Sequence, residues 1–347
     1  MRGIMNFVLP AAVVLAAPVA PASHPAVAAP LLHPAERWPV AGDGGWDYLL
    51  ADTLARRLYV SHGTQVEVLD LDRGTRLGRI DSTAGVHGIA VAHDLRRGFI
   101  TCGRDSSLLI FEIDSLRVLQ RVPVPGRNPD AVLYEPSSRR VVTFNGGSAS
   151  VTVFDAATGT VVGTIAVGGK PEFAVCDGRG KVFVNIEDTS ELLELDPGTL
   201  KVDRRWSIAP GEGPTGLAID RRHRRLFSVC GNLTMVVSDA DRGKVVATLP
   251  IGAGVDGVVF DSRRGLAMSS NGAGTITVVR EETPSKFVVV ETDSTERGAR
   301  TIELNESSGV VFLPTAQLGP PPPATPDRPR PRPTIVPGTF HVLVLRP

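Results

Sequence analysis

Three cysteines are few for a chain of 347 residues, and none of them sits in a CxxC or CxxCH pattern. That spacing excludes a zinc ribbon and a covalently attached c-type haem, and the odd count excludes a complete disulfide framework. Aromatic residues are scarce, at 5%. Neither sign of charge is in excess, since 37 Lys and Arg balance 37 Asp and Glu. A zero balance argues against a dedicated nucleic-acid binder, although it leaves room for a local basic face. No stretch reaches about 18 consecutive apolar residues, so no transmembrane helix is expected. No serine stands in a GxSxG elbow, which leaves an α/β-hydrolase mechanism without support. What abounds is Gly 36 and Pro 28 in a chain that is 42% hydrophobic and 21% charged. That is the composition of a globular protein with short elements and frequent turns.

Residues 1–28 read as an export signal. Arg2 supplies a positive charge, residues 7–17 are apolar, and Ala26-Val27-Ala28 offers a small-x-small cleavage site. Pro10 and the single charge depart from the usual pattern, and an Ala/Pro-rich leader is the alternative. No cysteine follows the apolar run, so a lipid anchor is not expected. The expected location is periplasmic or secreted.

The main signal is an internal repeat. Seven segments share one order: a small residue or Pro, a variable residue, a strand, a turn often carrying Asp and Arg, a second strand, a short polar loop, and a third strand often ending in Asp. The variable residues are Asp47, His87, Asp130, Glu172, Thr215, Asp256 and Arg300, spaced 40 to 44 residues apart. Such a period with several strands per unit predicts a β-propeller. The copy at 128–168 is the clearest. It predicts strands at 131–135, 141–144, 151–155 and 161–167, separated by turns too short to hold a helix. The seventh unit lacks a fourth strand. Arg37-Trp38-Pro39-Val40-Ala41-Gly42 resembles the fourth-strand segments Arg121-Val122-Pro123-Val124-Pro125-Gly126 and Thr248-Leu249-Pro250-Ile251-Gly252. The N-terminal strand is therefore expected to complete the seventh blade and close the ring, removing the sheet edges an open stack would expose. The predicted fold is an all-β, seven-bladed β-propeller of four-stranded blades over residues 36–347.

Several pieces resemble the YVTN-repeat, YncE-like family of exported bacterial seven-bladed propellers. They are Ser150-Val151-Thr152-Val153-Phe154-Asp155-Ala156-Ala157-Thr158-Gly159, then Thr164-Ile165-Ala166-Val167-Gly168, with Val182-Phe183-Val184-Asn185 and Leu58-Tyr59-Val60-Ser61 similar to the family tetrapeptide. Leu226-Phe227-Ser228-Val229 and Leu266-Ala267-Met268-Ser269 depart further. The resemblance implies fold and export but no single reaction, and seven-bladed proteins include lactonases.

It also implies that first strands line the central channel, which gathers the seven variable residues at one mouth. Four carboxylates against one guanidinium give that ring a formal charge of −3, His87 apart. Close carboxylates raise one another's pKa unless a cation shares the site. Asp47, Asp130, Glu172 and Asp256 thus form a candidate site for a divalent cation such as Ca²⁺ or Mg²⁺. Asn145 and Asn271, in loops expected on the same face, offer amide oxygens. The plainer reading is a solvated channel lining. On the opposite face, the turns carry Arg56, Arg57, Arg96, Arg97, Arg139, Arg140 and their later counterparts in excess over acids. Those arginines either order their turns or meet an anionic partner.

Gly252-Ala253-Gly254-Val255-Asp256-Gly257 matches GxGxxG but opens no helix, so it offers no pyrophosphate site. Cys102 and Cys230 fall on blades too far apart to pair and are expected as buried free thiols. An insertion at 317–338, containing Pro320-Pro321-Pro322-Pro323 and Arg328-Pro329-Arg330-Pro331-Arg332-Pro333, replaces a short loop of the seventh blade. It either folds over the acidic mouth through Arg328, Arg330 and Arg332 as a lid, or is an idle extended segment.

These observations favour an exported, monomeric binding or interaction module for a protein or small polar ligand, with no established reaction and a divalent cation as the one cofactor suggested. A metal-dependent hydrolase of the lactonase kind, using the acidic mouth, is the alternative, and a redox-associated propeller is a third.

Overall fold

The computed structural model describes residues 31–42, 44–325 and 331–347. The expected export signal at 1–28, and Arg328 and Arg330 of the insertion, lie outside the described residues. The compact unit from Leu31 to Pro347 contains seven four-stranded antiparallel sheets and no α-helix among the described residues. Blade 1 is Trp46–Asp52, Arg57–His62, Gln65–Asp70 and Arg76–Ile80, and each later blade repeats that order. The loop of blade 3 tightens into one 3-10 turn, Gly146–Ser148, without breaking the four-strand pattern.

Burial follows from position in the blade. Second and third strands are covered on both faces by neighbouring blades, as in Arg97–Cys102 and Ser107–Glu112. They read as near-continuous apolar runs for that reason. Fourth strands form the rim and are mostly exposed, each with a buried anchor: Ile80, Val122, Ile165, Trp206 and Leu249 in blades 1 to 5. Seven apolar clusters fill the seven gaps between consecutive blades, and the cluster of Trp38, Leu49, Val60, Phe312 and Val344 joins blade 7 to blade 1.

The seventh blade is completed as expected. Its inner strands are Glu303–Asn305, Val310–Thr315 and His341–Arg346, and the strand His33–Pro39 pairs antiparallel with the last of these. Trp38 occupies the anchor position of that rim strand at 4% exposure. The strand starts earlier than the motif at 37–42 suggested. Residues 33–36 join through backbone pairing to 344–346, and their exposed side chains leave no apolar mark in the sequence.

Blade 6 departs from the pattern. Register pairs Arg57 with Asp70, Arg97 with Glu112, Arg140 with Asp155 and Arg225 with Asp239. Three of those partners, Asp70, Asp155 and Asp239, cap the following turn by accepting backbone N–H groups two and three residues on. In blade 6 the pair is Leu266 with Arg280. Arginine cannot accept those bonds. The hairpin there runs on as Thr275–Thr283 and Lys286–Ser294, nine residues a side.

The GxGxxG segment enters the first strand of blade 6 and opens no helix. A Cβ on Gly257 would lie 3.0 Å from the backbone nitrogen of Ile302. The glycine permits close approach of the backbone at the start of the neighbouring first strand. Cys102 and Cys230 are buried free thiols, and Cys176 is free as well.

Candidate functional site

All seven variable residues line one cavity of about 450 Å³ at the start of the first strands. Glu172 is buried and the other six are half-buried. Their backbones are pinned from neighbouring strands. Thr101 donates its hydroxyl to the Asp130 carbonyl, Asn185 its amide to the Thr215 carbonyl at 3.0 Å, Ser270 its hydroxyl to the Arg300 carbonyl, and Thr301 its hydroxyl to the Asp47 carbonyl at 2.7 Å. Three of these donors, Thr101, Asn185 and Ser270, occupy matching places in the second strands of blades 2, 4 and 6. Sequence reasoning passed over them, although a hydroxyl or amide recurring in otherwise apolar strands was a usable signal.

The ring divides into three charged groups. His87 Nδ1 lies 2.7 Å from Asp47 Oδ2 and 3.7 Å from Asp130 Oδ1. Arg300 donates from Nε to Asp256 at 2.6 Å and approaches Asp47 at 3.5 Å. Lys170, two residues before Glu172, is held between Glu172 and Glu187. Lys170 and Glu187 were not anticipated, because the repeat marks one position per blade and they fall beside it.

Burial sets the titration of these groups. It pushes Asp130 up to about 6, with the Asp47 charge adding to the effect and His87 opposing it. It pushes Glu172 to about 8 against the pull of Lys170. Lys170 itself is held upward by its two carboxylates and stays charged. Burial opposes charge on His87, but the hydrogen bond to Asp47 and the nearby Asp130 outweigh it and raise the imidazole. Burial also raises Asp256, although Arg300 and Arg332 pull the other way.

The four carboxylates expected to form a cation site share the cavity but not one cluster of ligand atoms. Glu172 and Asp256 have cationic partners of their own, whereas Asp47, His87 and Asp130 place one ligand atom each within 4.8 Å of one another. Asp130 Oδ1 is buried without a hydrogen bond. Asn145 and Asn271 do not reach the mouth, which corrects the expectation for them. Each is buried and donates its amide to hydroxyls of its own blade, Asn145 to Ser150 and Thr152, Asn271 to Thr275 and Thr277.

Tyr48 stands beneath the ring, tilted against Phe173 at 5.3 Å, and borders both this cavity and a lower one of about 350 Å³. The base of the insertion is ordered as a stem. Leu318 bridges Ile335, Gly319 donates to the Thr334 carbonyl at 2.8 Å, and Val336 donates to the Gln317 carbonyl at 2.9 Å. The stem carries Arg332 to the mouth, beside Asp256 and Arg300. It also roofs a third cavity, of about 610 Å³, lined by Trp46, Val255, Leu318 and Ile335.

On the opposite face many of the arginines are paired. Arg56 bonds Asp72, Arg96 bonds Asp114, and Arg224 bonds Asp177 and Asp241 at 2.8 and 2.9 Å. Others bind carbonyls of the next blade, as Arg57 does at Ile113 and Arg97 at Ala157.

No family model matches the chain, and no curated protein does. Solved structures do. A chain of a mitotic checkpoint complex matches with a TM-score of 0.71 at 12% identity, covering 98% of this chain and 99% of that one. A chain of hydrazine synthase from Kuenenia stuttgartiensis matches with a TM-score of 0.61 at 18% identity, covering 69% and 83%. At such identities the likeness establishes the fold, and this chain is a seven-bladed β-propeller.

Proposed function

We propose that the chain is an exported propeller of the YVTN-repeat kind that works as a monomeric binding module, taking a small polar ligand or a polar protein segment at the channel mouth. The observation that supports this reading is the convergence of one residue from every blade on a single cavity. That cavity carries both signs of charge and a buried Asp130 oxygen that makes no hydrogen bond. A ligand amine suits Asp47 and Asp130, and a ligand acid suits Arg300 and Arg332. The apolar cavity under the insertion stem gives room for a short apolar part. Membership of a checkpoint complex by one fold neighbour agrees with an interaction role.

The test is thermal unfolding against a panel of small amines, zwitterions, carboxylates and Ca²⁺ or Mg²⁺, for the intact protein and for Asp130→Asn/Glu172→Gln. A ligand that binds the native mouth raises the melting temperature of the intact protein and not that of the variant. No shift with any compound, or equal shifts in both proteins, overturns the assignment of the mouth.

The Asp47–His87–Asp130 group favours a second reading, a cation-dependent hydrolase of the lactonase kind. Hard oxygen donors with one imidazole suit a divalent cation that polarises a carbonyl. Lactone turnover that requires the cation and is lost in His87→Ala would establish it in place of the first.

A further inference from the structure

The extended hairpin of blade 6 has a consequence on the face opposite the mouth. It carries Glu281 past the end of the short rim turns and down against the first turn of blade 5. There, Asp220 is held by its own turn, accepting the backbone N–H of Arg222 at 2.9 Å and of His223 at 3.2 Å. His223 Nδ1 lies 2.6 Å from Asp220 Oδ2 and 3.0 Å from Glu281 Oε1. The side chains of Asp220 and Glu281 are 4% and 3% exposed.

His223 stands in ion-pair contact with both carboxylates, but neither Glu281 oxygen nor His223 Nδ1 makes a well-aligned hydrogen bond. The three atoms lie within 4.8 Å of one another. The nearby cation does not relieve Glu281. Arg225 directs its donors to the carbonyls of Pro284, His223 and Arg224 and to Asp239. Arg280 is exposed. A buried carboxylate with no hydrogen bond is costly and calls for a counter-charge.

We propose that Asp220 Oδ2, His223 Nδ1 and Glu281 Oε1 form a three-ligand site for a divalent transition-metal ion of the zinc type, tying blade 5 to blade 6. Zinc takes one imidazole nitrogen and two carboxylate oxygens readily, and tetrahedral ligands about 2.0–2.2 Å from the metal lie about 3.3 Å apart. His223 to Glu281, at 3.0 Å, is within a few tenths of an ångström of that spacing; His223 to Asp220, at 2.6 Å, is shorter and has to open when an ion enters. The fourth position is left for water. Two ligands come from the turn of blade 5 and one from the hairpin of blade 6, so the ion would staple neighbouring blades at a distance from the mouth.

The experiment is equilibrium dialysis of the purified protein, stripped of metal, against micromolar Zn²⁺. Metal content is read directly, and Co²⁺ serves as a visible-absorption probe. The intact protein is expected to hold one equivalent at this site. Glu281→Gln and His223→Ala should each weaken it at least tenfold, while His87→Ala, at the mouth, leaves it in place. Glu281→Gln removes the buried charge and can donate to Asp220, so its metal-free form should melt at or above the intact protein's temperature. That melting curve separates lost binding from lost fold. An intact protein that binds no ion overturns the proposal. So does metal binding unchanged in a folded Glu281→Gln, or binding abolished by His87→Ala alone.

Discussion

Asp130 and Glu172 are two carboxylates whose charges the native mouth disfavours, and stability should report it. A folded-state pKa raised to about 6 for Asp130 and about 8 for Glu172 means that the native protein binds these protons more tightly than the unfolded chain does. Their contribution is most favourable below the unfolded values and is lost as pH rises through the folded ones. The melting temperature of the intact protein should therefore fall between pH 5 and pH 8.5. In Asp130→Asn/Glu172→Gln that fall should shrink, with the variant at least as stable as the intact protein at pH 8. A scan of melting temperature against pH in both proteins checks this, and parallel curves would refute it. The seven mouth residues were legible because each sits between turn punctuation and a strand, in fixed register. Lys170, Glu187 and Tyr48 were not, since only the folded ring brings them into the site, whereas Arg332 was marked beforehand by its Arg-Pro run in the insertion. The misplacement of Asn145 and Asn271 has a similar origin. Both end second strands, and the sequence does not show that their side chains turn inward to hydroxyls of the next strand.

At the scale of single elements, the strand His33–Pro39 matters out of proportion to its length. Its anchor Trp38 packs against Phe312, with ring centroids 5.4 Å apart, in the cluster that joins the last blade to the first. Trp38→Ala should cost about 3–5 kcal/mol, the usual penalty for truncating a large buried aromatic. Urea unfolding would measure it, and a change below about 1 kcal/mol would mean that the strand is dispensable. Removing residues 37–42 altogether should uncover the edge of His341–Arg346 and bring aggregation, visible by light scattering. The same contrast of legibility holds here. The tryptophan and its flanking Pro and Val announced the closing strand, whereas the exposed residues 33–36 that lengthen it did not. The blade 6 hairpin was likewise hidden, because the exchange of an acid for Arg280 reads in one dimension as a surface substitution.

For the whole molecule, the ring has seven inter-blade gaps with seven apolar cores, the number that the repeat period of the sequence implies. The basic face is the property that the sum of residues misrepresents. Counted along the chain it carries an excess of arginine; folded, many of its guanidinium groups are held by carboxylates and carbonyls of the same and adjacent blades. Net worth per exposed pair is small, yet the pairing lowers the charge offered to a partner. The protein should elute from heparin at or below physiological salt. Retention well above it would restore the reading of an anionic partner on this face.

The closing pair of strands also sets how the ring responds to tension. His33 pairs with Arg346 and Pro39 with His341, so the free ends of both strands lie at the same edge of the sheet. A load applied between residues 33 and 346 acts across the ladder and meets its hydrogen bonds one rung at a time, as in a zipper. It does not shear them together. Stretched by those ends in an optical trap, the molecule should yield first in a small, low-force opening that frees one strand, before any blade unravels. Held instead between two points inside the ring, it should resist to higher force, because no single-rung path is then available.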